Sequence, residues 1–210
     1  MKKLLLTFAC MLTLFSAIAG TQNFGSGMTI PGLATASGGA SNTAVKWTSE
    51  ALGVDLSLVQ CFKASSSEYM MAVKSKAEIT FTVSKAIQKI SITTPAGGIL
   101  AGNATLALYT GNATDYDCYN KCNTNGTTYD FVPEVKAAGT TYVLKNIKNP
   151  ESGNNGNVQI ASLTIVYEGE SGEEPVEPVE PTTVDMANIA ALVAANADLK
   201  SGATSTDTYK

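Results

Sequence analysis

The sequence predicts an all-β fold, an antiparallel β-sandwich of jelly-roll type, over residues 20–167. Three observations carry the prediction. Short stretches in which apolar and polar residues alternate recur along this region. Clusters of Gly, Asn, Ser and Pro punctuate them as turns do between strands. No span of the region keeps a helical period, which leaves strands to build the core.

The first element stands outside that domain. Lys2 and Lys3 precede an apolar run from Leu4 to Phe15, and Ala17-Ile18-Ala19 has the small-residue form of a cleavage site. Residues 1–19 therefore read as an export signal peptide, with a mature start near Gly20. The apolar run ends at Gly20-Thr21-Gln22-Asn23, short of the roughly 20 residues a transmembrane helix needs. The mature chain is expected in the periplasm, at the cell surface or secreted, with no membrane insertion. Lipidation at Cys10 is disfavoured, because Leu6-Thr7-Phe8-Ala9 makes a poor lipobox.

Strands follow in order. "AVKW", "VDLSLVQCF" and "YMMAV" are weaker candidates. "AEITFTVS" alternates cleanly, with Ile79, Phe81 and Val83 on one face and Thr80, Thr82 and Ser84 on the other. "IQKISITT" turns Ile90 and Ile92 inward, "ATLALYTG" Leu106 and Leu108, and "TTYVLKNI" Tyr142 and Leu144. "YDFVPEV" contains Pro133, which cannot donate to a ladder and marks an edge strand or a bulge. "VQIASLTIVYE" closes the region, with Leu163, Ile165 and Tyr167 sharing a face. Eight or nine strands result, each with one apolar face and one rich in Thr and Ser, as suits a sheet packed on one side and wet on the other.

Composition changes abruptly at residue 168. Residues 168–183 form an acidic Pro-rich linker in which Pro175, Pro178 and Pro181 recur every third position. Such a segment favours extended polyproline-like geometry, about 3.1 Å per residue. Beyond it, Asp185 is suited to cap a short helix whose apolar stripe is Ile189, Leu192 and Val193. About 27 residues cannot bury a core of their own. Residues 184–210 therefore read as the truncated, helical start of a second module.

Charge and composition exclude much chemistry. The formal net charge is −4, but residues 21–167 hold ten Lys against nine Asp and Glu, and the excess acid sits in the linker. A near-neutral domain offers no footprint for nucleic acid or anionic lipid. The chain has no His, and all fourteen basic residues are Lys. Without imidazole there is no Ser-His-Asp or Cys-His nucleophile system, and without guanidinium no planar fork for carboxylate or phosphate. No phosphate-binding or dinucleotide fingerprint is present, and no cofactor is expected. Glu50, Glu68, Glu78, Asp115, Asp117 and Glu134 form no recognisable glycosidase pair, which would need carboxylates about 5–10 Å apart. An enzyme is not expected.

Candidate binding residues cluster in "GNATDYDCYNKCNTNGTTYD", residues 111–130, read as one long loop. Tyr116, Tyr119 and Tyr129, with Tyr109 just before them, supply flat rings for the apolar side of a pyranose, and residues such as Asn120 supply amides for its hydroxyls. Trp47 is either an exposed stacking platform or, as is commoner in a sandwich, a core residue. Asp115 and Asp117 offer hard oxygen ligands of the kind a structural calcium ion takes, without completing the twelve-residue loop pattern. Cys118 and Cys122 could close a disulfide if "CYNKC" turns back on itself. A bridge from Cys61 into the loop and a three-thiolate metal site are the alternatives, and Cys61 otherwise reads as a buried strand thiol.

Taken together, "AEITFTVSKAIQKISITTP" and "NGNVQIASLTIVYE" resemble strands of noncatalytic β-sandwich modules. These carbohydrate-binding-like modules occur in large secreted and surface proteins of Gram-negative gut anaerobes. The shared features are the Thr-rich "ITFTV" strand, the strand of "I-x-K-I-x-I" form, the terminal "I-x-x-L-T-I-V-Y" strand and the acidic Pro-rich spacer. The resemblance implies an adhesive, scaffolding or glycan-associated module with a polysaccharide partner and neighbouring domains. It brings no ligand-binding motif. The alternative is a structural spacer that binds nothing.

Overall fold

β-Branched and aromatic residues at every second position fit a pleated surface with one dry side, and this pattern decides most of the architecture. The computed structural model describes residues 18–169. The expected export signal, except its last two residues, lies outside the described residues, as do most of the linker and the expected helix. Thirteen strands are found among the described residues. They are β1 (Ile18–Asn23), β2 (Val45–Ser49), β3 (Val54–Val59), β4 (Cys61–Phe62), β5 (Met70–Ala72), β6 (Glu78–Thr82) and β7 (Ile87–Thr93). They continue with β8 (Thr105–Thr110), β9 (Cys118–Lys121), β10 (Thr128–Phe131), β11 (Thr141–Asn146), β12 (Val158–Ile160) and β13 (Ser162–Tyr167).

The strands form a four-stranded sheet, β1-β13-β7-β10, a six-stranded sheet, β2-β3-β6-β11-β8-β9, and a small sheet, β12-β5-β4. Every pairing between these strands is antiparallel. With the small sheet and the β2–β3 hairpin set aside, eight strands remain. Numbered one to eight in chain order, they run 1-8-3-6 in one sheet and 2-7-4-5 in the other. That is the jelly-roll order of two interlocked Greek keys, as the sequence predicts.

The predicted inward residues are the core. Ile79, Phe81, Val83, Ile90, Ile92, Leu106, Leu108, Tyr142, Leu144, Leu163, Ile165 and Tyr167 are all buried and belong to one apolar cluster shared by the sheets. Tyr142 keeps its hydroxyl satisfied by donating to the Val135 carbonyl at 2.6 Å. Pro133 follows β10, which is an edge strand, as expected.

Two predicted strands are each divided. "VDLSLVQCF" breaks at Gln60, whose φ of +49° swings the chain from β3 into the small sheet as β4. "VQIASLTIVYE" breaks at Ala161, where the chain leaves the small sheet for β13. Strands that change sheets at such bends make the corners of a sandwich. The stretch 111–130 is not one loop, since it contains β9 and the beginning of β10.

The outer face of the four-stranded sheet is a lattice of short polar side chains. Thr21 and Thr164 share a hydrogen bond at 3.0 Å, and Thr93 and Thr128 one at 2.9 Å. Lys89 and Ser91 both donate to the Asp130 carboxylate at 2.6 Å. These two hydrogen bonds hold its carboxyl below the usual Asp range. A depressed folded-state pKa adds stability that is fully present above the unfolded value of about 3.9 and is lost as pH falls through the folded value. Lys89 and Asp130 are 38% and 44% exposed, so solvent screening keeps the effect below about 1 kcal/mol. Urea unfolding of wild type and Asp130→Asn should differ by a constant small amount above pH ~4.5, and the gap should shrink only as pH falls below ~4 through the folded value. A gap that persists unchanged to pH 2 contradicts this assignment.

Candidate functional site

The β8–β9 hairpin forms one edge of the six-stranded sheet, and strand alternation sorts its side chains. Leu106 and Leu108 of β8 point into the core, paired with Asn120 and Cys118 of β9. Ala107 and Tyr109 therefore take the outer face, with Tyr119 opposite Ala107. On the other flank of β8, β11 sets Lys145 opposite Ala107 and Val143 opposite Tyr109. The register thus brings Tyr109, Tyr119, Val143 and Lys145 together around Ala107.

On a bare outer face Ala107 and Val143 would be wet, yet they are 0% and 8% exposed. The register sets Tyr119 and Lys145 beside Ala107 and Tyr109 beside Val143, where a ring or a lysine stem can cover them. Tyr116, from the connecting turn, stands at the centre of the ring cluster. Its centroid is 6.1 Å from Tyr109 and 5.4 Å from Tyr119, with interplanar angles of 88° and 75°. Edge-to-face contacts of this kind are the favoured geometry for aromatic pairs. The Lys145 ammonium lies 4.9 Å from the Tyr109 centroid and 3.3 Å from Glu78 Oε1. Burial, then the neighbouring Tyr116, Asp115 and Glu78, raise the Tyr109 phenol. Tyr109 therefore remains a neutral hydroxyl donor at physiological pH.

Asp117 fastens the turn that carries Tyr116. Its Oδ2 accepts from the Thr110 hydroxyl at 2.6 Å and from the Glu134 amide at 3.2 Å, while its amide donates to the Leu108 carbonyl at 2.8 Å. Gly111, with φ of +58°, supplies the left-handed residue that starts the turn. The result is a ledge of three rings, Tyr116 being 40% exposed, flanked by an ammonium and a carboxylate.

The predicted site residues divide accordingly. Tyr116 and Tyr119 do come together, joined by Tyr109. Tyr129 does not join them. It pairs with inward-facing Ile92, packs on the core, and its hydroxyl accepts from the Thr124 amide at 3.0 Å. Asn120 also faces away, donating to the Asp130 carbonyl at 2.9 Å and so tying β9 to β10. Trp47 lies on β2, at the opposite edge of the sheet from β9, and is half-buried against the core beside Leu56. It is no partner of the ledge. Asp115 is exposed, the Asp117 carboxylate is engaged in the turn, and among the described residues no group of three His, Cys, Asp or Glu could hold a metal ion.

The Cys118–Cys122 disulfide is also corrected. Cys61, Cys118 and Cys122 are all free. Cys118–Lys121 is strand, so four residue steps of extended chain set the two Cα atoms about 13 Å apart, beyond the roughly 7 Å that a bridge allows. Burial pushes the Cys61 and Cys122 thiols up to about 12 and raises Cys118 as well, so none is a thiolate at neutral pH.

Lys145 and Glu78 were not foreseen as site residues. The available signal was parity. Once β8, β9 and β11 pair, Tyr109, Tyr119 and Lys145 must share a face, but β9 is too short and polar to be recognised as a strand. A separate concavity of about 710 Å³ lies between Ser66–Tyr69 and Pro95–Gly97, with Asn23 and Ala161 on its wall. It offers one ring, Tyr69, and one carboxylate, Glu68, which accepts from the Ser26 amide at 3.1 Å.

No family model matches the sequence, and no curated protein does. Among solved structures, the chain is similar to a low-affinity xylan-binding module from the xylanolytic gut symbiont Roseburia intestinalis. Identity is 10%, the match covers 74% of this chain and 99% of that one, and the TM-score is 0.33.

A thiol titration checks the corrected cysteine chemistry. A chain beginning near Gly20, unfolded in guanidinium without reductant, should release three reactive thiols, with little reaction before unfolding. A single thiol would restore the disulfide.

Proposed function

We propose that this domain is a noncatalytic carbohydrate-binding module and that its ligand lies on the tyrosine ledge. The convergence of Tyr109, Tyr116 and Tyr119 on one outer sheet face carries this reading. The C–H faces of a pyranose are apolar and its rim is polar, so it suits aromatic faces bordered by groups that donate and accept hydrogen bonds. Tyr hydroxyls, the Lys145 ammonium and the Glu78 carboxylate supply that border. The ledge is open on its solvent side, which suits a stretch of polymer better than an enclosed small molecule.

The module is further proposed to be exported and to work inside a longer surface or secreted protein. Residues 1–19 support export, and the acidic Pro-rich linker supports a following module. In that setting the domain holds neighbouring domains against a polysaccharide. Among the described residues no helix is long and apolar enough to cross a membrane.

One observation favours a different reading. Tyr116 meets Tyr109 and Tyr119 edge to face, on the sheet face where Ala107 and Val143 are buried, which is also what a plain hydrophobic cap would do. A cap alone would make the domain a spacer without a ligand.

Affinity electrophoresis in gels containing soluble polysaccharides separates the two. The wild-type chain should be retarded by at least one polysaccharide, and Tyr116→Ala/Tyr119→Ala should lose about tenfold or more in affinity. Tyr69→Ala, in the separate concavity, should leave retardation unchanged. Retention that survives loss of the ledge but fails with Tyr69→Ala moves the site to that concavity. No retention by any polysaccharide leaves the spacer.

A further inference from the structure

We infer that the ledge selects an acidic polysaccharide, whose anionic groups are read by lysines in a cleft continuous with the tyrosines. This rests on the glycan-binding reading of the ledge and names its ligand class.

The link between the two is Lys145. Lys145, whose ammonium sits over Tyr109, also lines a cleft of about 330 Å³ together with Lys76, Lys148 and Glu78. The lining thus holds three lysines and one glutamate, and that glutamate's carboxylate is already paired with Lys145 at 3.3 Å. Lys76 and Lys148 are exposed, and neither is in an ion pair among the described residues. The excess is local. Residues 21–167 as a whole are nearly neutral, so this cationic corner is not a by-product of a basic domain. It invites a carboxylate or sulfate in place of the missing acidic side chains.

The cleft wall is built rather than incidental. Ser75 is held at φ of +53°, a left-handed conformation that is costly for a residue with a side chain. Its amide donates to Asn146 Oδ1 at 3.3 Å, and its hydroxyl oxygen accepts from Asn155. Asn146 is 4% exposed and donates in turn to the carbonyls of Ala72 and Gly156 at 3.1 and 3.0 Å. This buried amide fixes the turn that presents Lys76.

Geometry suits a polymer crossing the strands. From Tyr119 on β9, the outer face passes through Ala107 on β8 and Lys145 on β11 to Glu78 on β6. Three strand spacings make about 14 Å. A glycan with one sugar stacked on the tyrosines would lay a neighbouring acid group beside Lys145, Lys76 and Lys148. Ammonium groups on flexible stems suit such a chain, because they act as point charges without the fixed fork of a guanidinium.

The test compares affinities of the full chain for a neutral xylan, for polygalacturonate and for a sulfated galactan, at about 20 and 500 mM salt. Wild type should prefer at least one anionic polymer over the neutral one by about three- to tenfold, and the preference should vanish at high salt. Whether the uronate or the sulfate polymer wins identifies the acid group. Lys76→Ala/Lys148→Ala changes only exposed side chains and should retain the wild-type unfolding midpoint. It should bind all three polymers alike, while Tyr116→Ala/Tyr119→Ala loses all three. Equal affinity for neutral and acidic polymers, or an acidic preference unchanged in the lysine variant, overturns this inference and leaves the ledge standing. Absence of binding to any polysaccharide overturns both. Retention of the chain on anionic vesicles or nucleic acid, without glycan binding, also rejects an acidic glycan as the ligand.

Discussion

The register of β11 against β6 and β8 is the constraint from which the domain follows. Leu144 stands opposite Ile79 on one side and Leu108 on the other, and all three are fully buried. A slip of one residue would turn Tyr142, Leu144 and Asn146 to solvent and drive Val143 and Lys145 into the core. Burying an unpaired ammonium alone would cost several kcal/mol. The hydrophobic demand on the inner face therefore fixes what the outer face must display.

That coupling makes the ledge a consequence of the fold. Tyr109 and Lys145 face outward because their neighbours along the strands face inward, and Ala107 leaves room between Lys145 and Tyr119 for side chains to settle onto the sheet. Rings held by packing on a rigid sheet have little freedom to lose when a ligand arrives. The same strands lead to the lysine cleft through Asn146, whose inward amide braces the Ser75 turn. One strand thus serves the core, the ledge and the cleft.

Most of the sandwich could be read from the chain because its central strands obey a two-residue period, as "AEITFTVS" and "TTYVLKNI" do. Two strands escaped. The inner positions of β1 include Gly20 and Gln22 rather than apolar residues. Gly20 is there because a Cβ would come within 2.6 Å of the Ala51 carbonyl oxygen, and Gln22 accepts from the Ser49 hydroxyl at 2.8 Å. Strand β9 is four residues of "CYNK", with no aliphatic alternation to mark it. Missing β9 had a direct effect on the site. Residue types alone grouped Tyr116, Tyr119, Asn120 and Trp47, whereas strand parity separates Tyr119 from Asn120 and the sheet width separates both from Trp47. The divided "VQIASLTIVYE" hid for the opposite reason. Val158, Gln159 and Ile160 are all buried, so nothing in the run shows where one sheet ends and the next begins.

The central claim is that the outer face of β11, β8 and β9 is where a glycan binds. Amide chemical-shift mapping during titration with an oligosaccharide tests it most directly. Perturbations should concentrate on β8, β9, β11 and the turn carrying Tyr116. Shifts confined to Asn23, Ser66–Tyr69 and Pro95–Gly97, or none at saturating ligand, would contradict it.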